Sequence, residues 1–254
     1  MKKVVSRLGR RLLFPGFDIH TRSRASLCSY WRKGARRVLD AGCGNGYFSY
    51  LAWKSGADVD AVSFEADSIE KAKRFFEKQA RTGRLNFIHR NLYELDYPPE
   101  TFDEIICYET IEHLMRGQYM INRFSEWLRP GGVLHLCAPN KLHRYNANIE
   151  PSREEDGWHV RQGYDRGSYA EMLFEAGLEV LAFDGVGPAV VCACDGLVWP
   201  VNNALGTLAA APLFLLVWPL WPWFSRTSPD RGISIYVKAA KPLRPQARAT
   251  ETKA

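Results

Sequence analysis

Acidic and imidazole side chains gather at Glu109, Glu112 and His113, and a second histidine stands downstream in Gly157-Trp158-His159-Val160-Arg161. The i, i+3, i+4 spacing puts the first three on one face if that segment is helical. Two chemistries use such a set. In one, His113 or His159 takes the proton from an attacking hydroxyl, work that suits a neutral imidazole near pH 7. In the other, Glu109, Glu112, His113 and His159 hold a divalent metal that binds acceptor oxygens and lowers their pKa. A structural role, with Glu112 and His113 organising a loop, uses the same residues. The catalytic candidates are Glu112, His113 and His159, and the four-residue metal set is conditional.

A ligand site precedes this group in the chain. Val38-Leu39 reads as the end of a buried strand. Asp40 follows, then Gly42, Gly44 and Gly46 at alternating positions, then Phe48, Leu51 and Ala52 at helical spacing. Such glycines let the backbone turn sharply and let a ligand lie against it, while N–H groups at the helix start suit a carboxylate. A dinucleotide turn has the spacing G-x-G-x-x-G and carries a pyrophosphate. Here the spacing is G-x-G-x-G, and Asp40 would repel a pyrophosphate but suits a cationic amine. S-adenosyl-L-methionine (SAM), with an ammonium, a carboxylate, a sulfonium and no phosphate, fits that turn.

These residues need a sheet to hold them. Asp58–Phe64, Leu85–His89, Thr101–Tyr108 and Val133–Cys137 read as further strands, the last entered through the turn Leu128-Arg129-Pro130-Gly131-Gly132. Ser68–Arg81 and Ser168–Ala176 read as helices, Leu178–Phe183 as strand six and Gly232–Lys238 as strand seven. In a doubly wound sheet, the glycine turn and the Glu109–His113 segment both lie at the carboxyl ends of strands, where ligands bind.

The run Val38-Leu39-Asp40-Ala41-Gly42-Cys43-Gly44-Asn45-Gly46, with Phe102-Asp103-Glu104-Ile105 and Leu128-Arg129-Pro130-Gly131-Gly132-Val133-Leu134 after it, resembles the class I SAM-dependent methyltransferases over residues 36–140. The resemblance implies a Rossmann-like α/β fold: a seven-stranded, mostly parallel sheet with helices on both faces. It implies SAM as cofactor, held by Asp40, Gly42, Cys43, Gly44, Gly46, Glu65, Asn91, Leu92 and Tyr108. The acid expected at the end of strand two is replaced by Ser63, so either Glu65, two residues on, takes its place against the ribose, the favoured reading, or Ser63 makes a single weaker contact. Asn91 stands where the family places an adenine-binding acid. Glu-x-x-Glu-His with a later histidine is similar to ubiquinone-biosynthesis O-methyltransferases and small-RNA 2′-O-methyltransferases, which implies oxygen as the methylated atom.

Length and charge set the remaining expectations. The 254 residues suffice for one α/β domain, here 36–240, between a basic segment 1–35 and a polar tail 241–254. Residues 1–37 hold eleven Lys/Arg against one acid, a local excess of ten, so the rest of this +6 chain is acidic by four. Over residues 1–15, Val4, Val5, Leu8 and Leu12 share one helical face, giving a basic amphipathic helix suited to a membrane interface. No apolar run of secretory type accompanies it. A second apolar stretch interrupts the domain between strands six and seven (about 186–228) and is uncharged from 197 to 224. Because those two strands pair, the insertion leaves and returns on one side, as a shallow hairpin, an in-plane segment, a lid, an added core layer or a dimer contact. The six cysteines form no C-x-x-C pair, which reads as a reducing compartment without disulfides.

The expected protein is a cytoplasmic methyltransferase, peripheral on the inner membrane face through 1–15 and 197–224. Its acceptor is a small amphiphilic or lipid-linked molecule, such as a quinone precursor or lipid-linked glycan. A non-catalytic SAM-binding scaffold is the alternative that Ser63 and Asn91 favour. A nucleic-acid methyltransferase would use the basic segment, whose lack of interleaved aromatics speaks against it.

Overall fold

The computed structural model describes residues 19–34, 36–217 and 226–243. Its strands are β1 (Arg37–Ala41), β2 (Asp58–Ser63), β3 (Leu85–His89), β4 (Phe102–Tyr108), β5 (Leu128–Pro139), β6 (Glu179–Val186), β7 (Arg226–Thr227) and β8 (Ser234–Ala240). They form one sheet in the order β3-β2-β1-β4-β5-β8-β6-β7. β1 runs parallel to β2 and β4, with Asp40 paired to Ala61 on one side and Ile106 on the other, and β8 runs antiparallel to both β5 and β6. The chain therefore winds outward from β1 in two directions and leaves a crevice at the carboxyl ends of β1 and β4.

Helices are α1 (Ile19–Arg24), α2 (Tyr47–Lys54), α3 (Ala66–Phe75), α4 (Glu77–Ala80), α5 (Gly117–Trp127), α6 (Arg166–Glu175), α7 (Ala189–Leu205) and α8 (Thr207–Val217). Alternation along each strand divides the core. Leu39, Ile105 and Leu134 face a cluster completed by Met120, Phe124 and Trp127 of α5 and by Tyr169 and Leu173 of α6. Val38, Ala61 and Ile106 face Ala52 of α2, Ile69 and Ala72 of α3, and Leu27. Both faces are covered, so the parallel strands read as nearly continuous apolar runs. A third, smaller cluster joins Ile19 of α1 to Val191, Val198, Ala210 and Phe214 of the insertion.

Several expectations change. The sheet has eight strands rather than seven, because the returning leg of the insertion adds Arg226–Thr227 to the edge of β6. The helix expected over 68–81 is broken at Phe76, whose ring is buried and stacks on Tyr50 and Phe87 at 5.0 and 5.9 Å. β5 starts at Leu128, paired with Phe102, so the expected glycine turn is a bulge inside the strand. Within the insertion α7 and α8 are separated at Gly206, with φ 82°, and Pro200 and Pro212 lie inside the two helices. The proposed helix over 1–15, the tail beyond 243 and Pro219, Pro222 and their tryptophan neighbours lie outside the described residues.

One buried polar network crosses the sheet away from the crevice. The Glu104 carboxylate is paired with the Arg36 guanidinium, accepts the Arg32 N–H at 2.8 Å and lies 3.4 Å from His135 Nε2. His135 Nδ1 is 2.8 Å from the Tyr236 hydroxyl. Burial acts most strongly on both Glu104 and His135. For Glu104 the hydrogen bonds from His135, Arg32 and Arg36 outweigh it and lower the pKa; for His135 burial prevails and the ring is held neutral. Removing one member of a buried pair strands its partner's charge. Glu104→Ala is expected to cost about 3–5 kcal/mol in urea unfolding, whereas truncating the exposed partner in Arg81–Glu77 should cost less than about 1 kcal/mol.

Candidate active site

The glycine turn builds the floor of a cleft. Gly42 N–H and Cys43 N–H both donate to Val62 O, at 2.9 and 2.8 Å, which ties the end of β1 to the end of β2. Gly42 has φ 86°, and a Cβ there would stand 2.0 Å from Thr110 Oγ1 on the segment after β4. Gly44 differs: its φ is 49°, and a Cβ there would meet nothing within 4 Å. Protein packing leaves that face of Gly44 open, so a ligand can lie on the backbone. Gly46 precedes α2, and Asn45 Oδ1 accepts from Tyr47 N–H at 3.0 Å, so a side chain already caps one of the donors expected to meet a carboxylate.

The cleft holds about 210 Å³ and is lined by Gly42, Gly44, Ser63, Phe64, Glu65, Asn91, Leu92, Glu109, Thr110, His113, Leu114, Glu155 and Gly157. Of the expected cofactor residues it gathers Gly42, Gly44, Glu65, Asn91 and Leu92. Glu65 also accepts the Ser68 hydroxyl at 2.6 Å, and the Asn91 side-chain oxygen accepts from Tyr93 N–H at 3.0 Å, which leaves that oxygen one further lone pair. Asp40, Cys43, Gly46 and Tyr108 lie outside the lining; the Cβ side of Gly46 is taken up by the Phe87 ring. Asp40 is 2% exposed beneath the turn and accepts the Ser49 hydroxyl at 2.5 Å, and burial pushes its carboxyl up to about 6. Tyr108 points to the opposite face of the sheet, where its hydroxyl accepts from Trp31 Nε1 at 3.1 Å. Phe64, Thr110, Leu114, Glu155 and Gly157 were not expected. Phe64 could have been read as the residue leaving β2 at the cleft; Glu155, which accepts the Tyr93 hydroxyl at 2.6 Å, comes from a loop with no local signal.

The acid–imidazole group is not the helical face that its spacing suggests. Glu109 takes a left-handed backbone, φ 49°, because its N–H extends the sheet by donating to Cys137 O at 2.7 Å. A single turn of 3₁₀ helix follows over Ile111–His113. Glu109 consequently leaves the others, and its carboxylate lies 3.5 Å from Arg24 Nη1 of α1. Glu112, His113 and His159 do converge, with donor atoms all within 4.8 Å of one another. Val160 N–H donates to Glu112 O at 3.0 Å and holds the His159 loop in place, and the imidazoles meet edge to face at 4.7 Å. Glu112 is fully buried, and neither carboxylate oxygen has a hydrogen-bond partner among the described residues. Burial, then the neighbouring Glu109 charge, raises its pKa well above the carboxylate range. Burial and then His113 lower the pKa of His159.

An open glycine face at the switch point of a doubly wound sheet, with an acid after β2 in the same cleft, is the arrangement expected of the class I SAM-dependent methyltransferases. A model of the methyltransferase domain matches residues 32–177, more than half of the chain, and the chain belongs to that family. It is 29% identical over 171 residues to a probable S-adenosylmethionine-dependent methyltransferase of Mycolicibacterium smegmatis, covering 65% of this chain and 62% of that one. A ubiquinone biosynthesis O-methyltransferase of Coxiella burnetii is 33% identical over 106 residues, 42% of this chain and 44% of its own. The chain spans 33–62% of the length of the first curated relatives. Among solved structures, phosphoethanolamine N-methyltransferase 2 of Haemonchus contortus bound to SAM has a TM-score of 0.62 at 15% identity, covering 87% of this chain and 52% of that one. A SAM-dependent methyltransferase of Mesorhizobium loti has a TM-score of 0.57 at 16% identity, covering 86% and 97%. At such identities the likeness is one of fold.

Asp40 makes the donor site testable. Its folded-state pKa is raised, so the folded protein gains a proton, and the associated stability is full below the unfolded value and lost as pH rises through about 6. Ionised, the same carboxylate favours a cationic ligand beside it. Asp40→Asn is expected to flatten the dependence of Tm on pH between about 4 and about 6 and to weaken SAM binding in calorimetry about tenfold at neutral pH. Unchanged affinity would remove Asp40 from the donor site.

Proposed function

We propose that this protein transfers the methyl group of SAM to a hydroxyl oxygen of a small amphiphilic acceptor. The observation carrying this reading is the cleft in which the open Gly44 face and Glu65 stand across from His113, with His159 and buried Glu112 directly behind. SAM supplies an already activated methyl group, so the protein's tasks are to align the acceptor and to remove its proton. Glu65 and Leu92 line the nucleoside side of the cleft, and Asp40 sets its charge from below. His159, held neutral by its surroundings, accepts the acceptor proton directly or through His113. Glu112 orients the pair by offering a buried oxygen 3.9 Å from His113 Nε2. The similarity to a protein named as a ubiquinone biosynthesis O-methyltransferase favours oxygen over nitrogen. The apolar insertion and the basic segment favour an acceptor met at a membrane.

A second reading shares the site. The Glu112 oxygens and Nδ1 of both His113 and His159, without hydrogen-bond partners among the described residues, form a donor set of the kind a divalent cation takes. Glu112, His113 and His159 would hold it, without Glu109, which is paired with Arg24.

The test is methyl transfer from labelled SAM to amphiphilic phenols. His159→Gln is expected to lower kcat about 10²- to 10⁴-fold while SAM affinity in calorimetry stays unchanged. SAM binding without transfer to any such acceptor would favour the scaffold. Metal content of the purified protein by mass spectrometry, before and after EDTA, separates the two readings. Retained metal that disappears in Glu112→Gln supports the cation, and turnover insensitive to EDTA supports imidazole alone.

A further inference from the structure

The insertion presents an outer face that the domain does not use. Leu197, Trp199 and Leu205 of α7 and Leu215 and Leu216 of α8 are each more than half exposed. No charged residue occurs from 196 to 225. Its inner side makes a satellite cluster with Ile19, separate from the two cores of the sheet. Apolar patches of this kind mark an interaction surface.

Three observations identify the partner as lipid. The first is the chemistry of the chain that adjoins α1 and α8 in sequence. Residues 1–18 run directly into α1, which packs on the insertion through Ile19 and sets the Arg22 guanidinium 5.0 Å over the Phe214 ring. Those residues bring Lys2, Lys3, Arg7, Arg10 and Arg11 against the single acid Asp18, and the segment after α8 brings Trp218, Trp221, Trp223 and Phe224. By sequence, a cationic segment adjoins α1 and an uncharged, tryptophan-rich one follows α8, a composition that matches an anionic headgroup layer above an apolar interior. The second is geometry. β6 and β8 are paired, with Val186 opposite Ser234, so the insertion leaves and re-enters at one sheet edge. α7 has 17 residues, about 25 Å at 1.5 Å per residue, less than the roughly 30 Å of a bilayer core. Among the described residues no helix is long and apolar enough to cross a membrane. The third is connection to the site: α1 carries Ile19 against the insertion and Arg24 against Glu109 in the cleft.

We infer that the outer face of α7 and α8 docks in the plane of an anionic lipid surface and places the cleft mouth where an amphiphilic acceptor resides. The inference rests on the methyltransferase reading for the acceptor alone; the docking itself does not require it.

The experiment is co-sedimentation of the full chain with phosphatidylcholine vesicles and with vesicles containing phosphatidylglycerol, at low and high salt. SAM calorimetry and light scattering are run on the same samples. Binding is expected to the anionic vesicles, weakened by salt. The double variant Leu215→Asp/Leu216→Asp should lose it about tenfold or more with Tm and SAM affinity unchanged. Lys2→Glu/Lys3→Glu/Arg7→Glu should lose the preference for anionic lipid. Vesicle binding without SAM binding would sink the enzymatic reading and leave docking standing. Absence of vesicle binding overturns the inference, and a dimer dissociated by the leucine variants would assign the face to a second copy of the chain.

Discussion

The missing side chain at residue 42 is the constraint on which the site depends. Thr110 packs into the space where a Cβ would stand, 2.0 Å from its hydroxyl oxygen, while the N–H groups of Gly42 and Cys43 are drawn onto the Val62 carbonyl near the end of β2. The ends of β1, β2 and β4 are thereby brought within one side chain's reach. Without that approach, the glycine turn and the segment that carries His113 would be separate features of one sheet edge. With it, they become two walls of one cleft.

The same closeness explains the unusual electrostatics after β4. Extension of the sheet by Glu109 N–H forces a left-handed residue, and the chain recovers with one 3₁₀ turn that drives Glu112 inward. A buried carboxyl without hydrogen bonds is costly, and sites of this kind persist where function requires them. Here it lies under two imidazoles, one of which burial holds neutral. Glu109, four residues from His113 in sequence, is spent on Arg24 and so links the cleft to the N-terminal helix.

That helix gives the insertion a place in the architecture. α7 and α8 pack on Ile19 rather than on the central sheet, and their ends are set by the pairing of β6 with β8. An apolar element of this size on such a mount behaves as an appendage with its own surface chemistry. It stands beside the cleft because α1 touches both.

The sequence by itself determined the strand–glycine–helix turn, the parallel core and the donor class, because these follow from local periodicity and from residue types with few conformational alternatives. Gly42 and Gly44 were legible for that reason, and Glu65, Asn91 and Leu92 through the resemblance to the methyltransferases; all five line the cleft. The tertiary structure decided what depended on distant partners. The pairing of Arg24 with Glu109 removed one residue from the supposed metal set, and Val160 bonded to Glu112 O brought His159 in from a loop. Phe64 and Glu155 joined the cleft, and Tyr108 turned away from it to meet Trp31. The extra strand arose because the returning insertion lies on β6. None of these carries a local signature. Each is set by which backbone groups the assembled sheet leaves to be satisfied, and that is settled only when all its strands are in place.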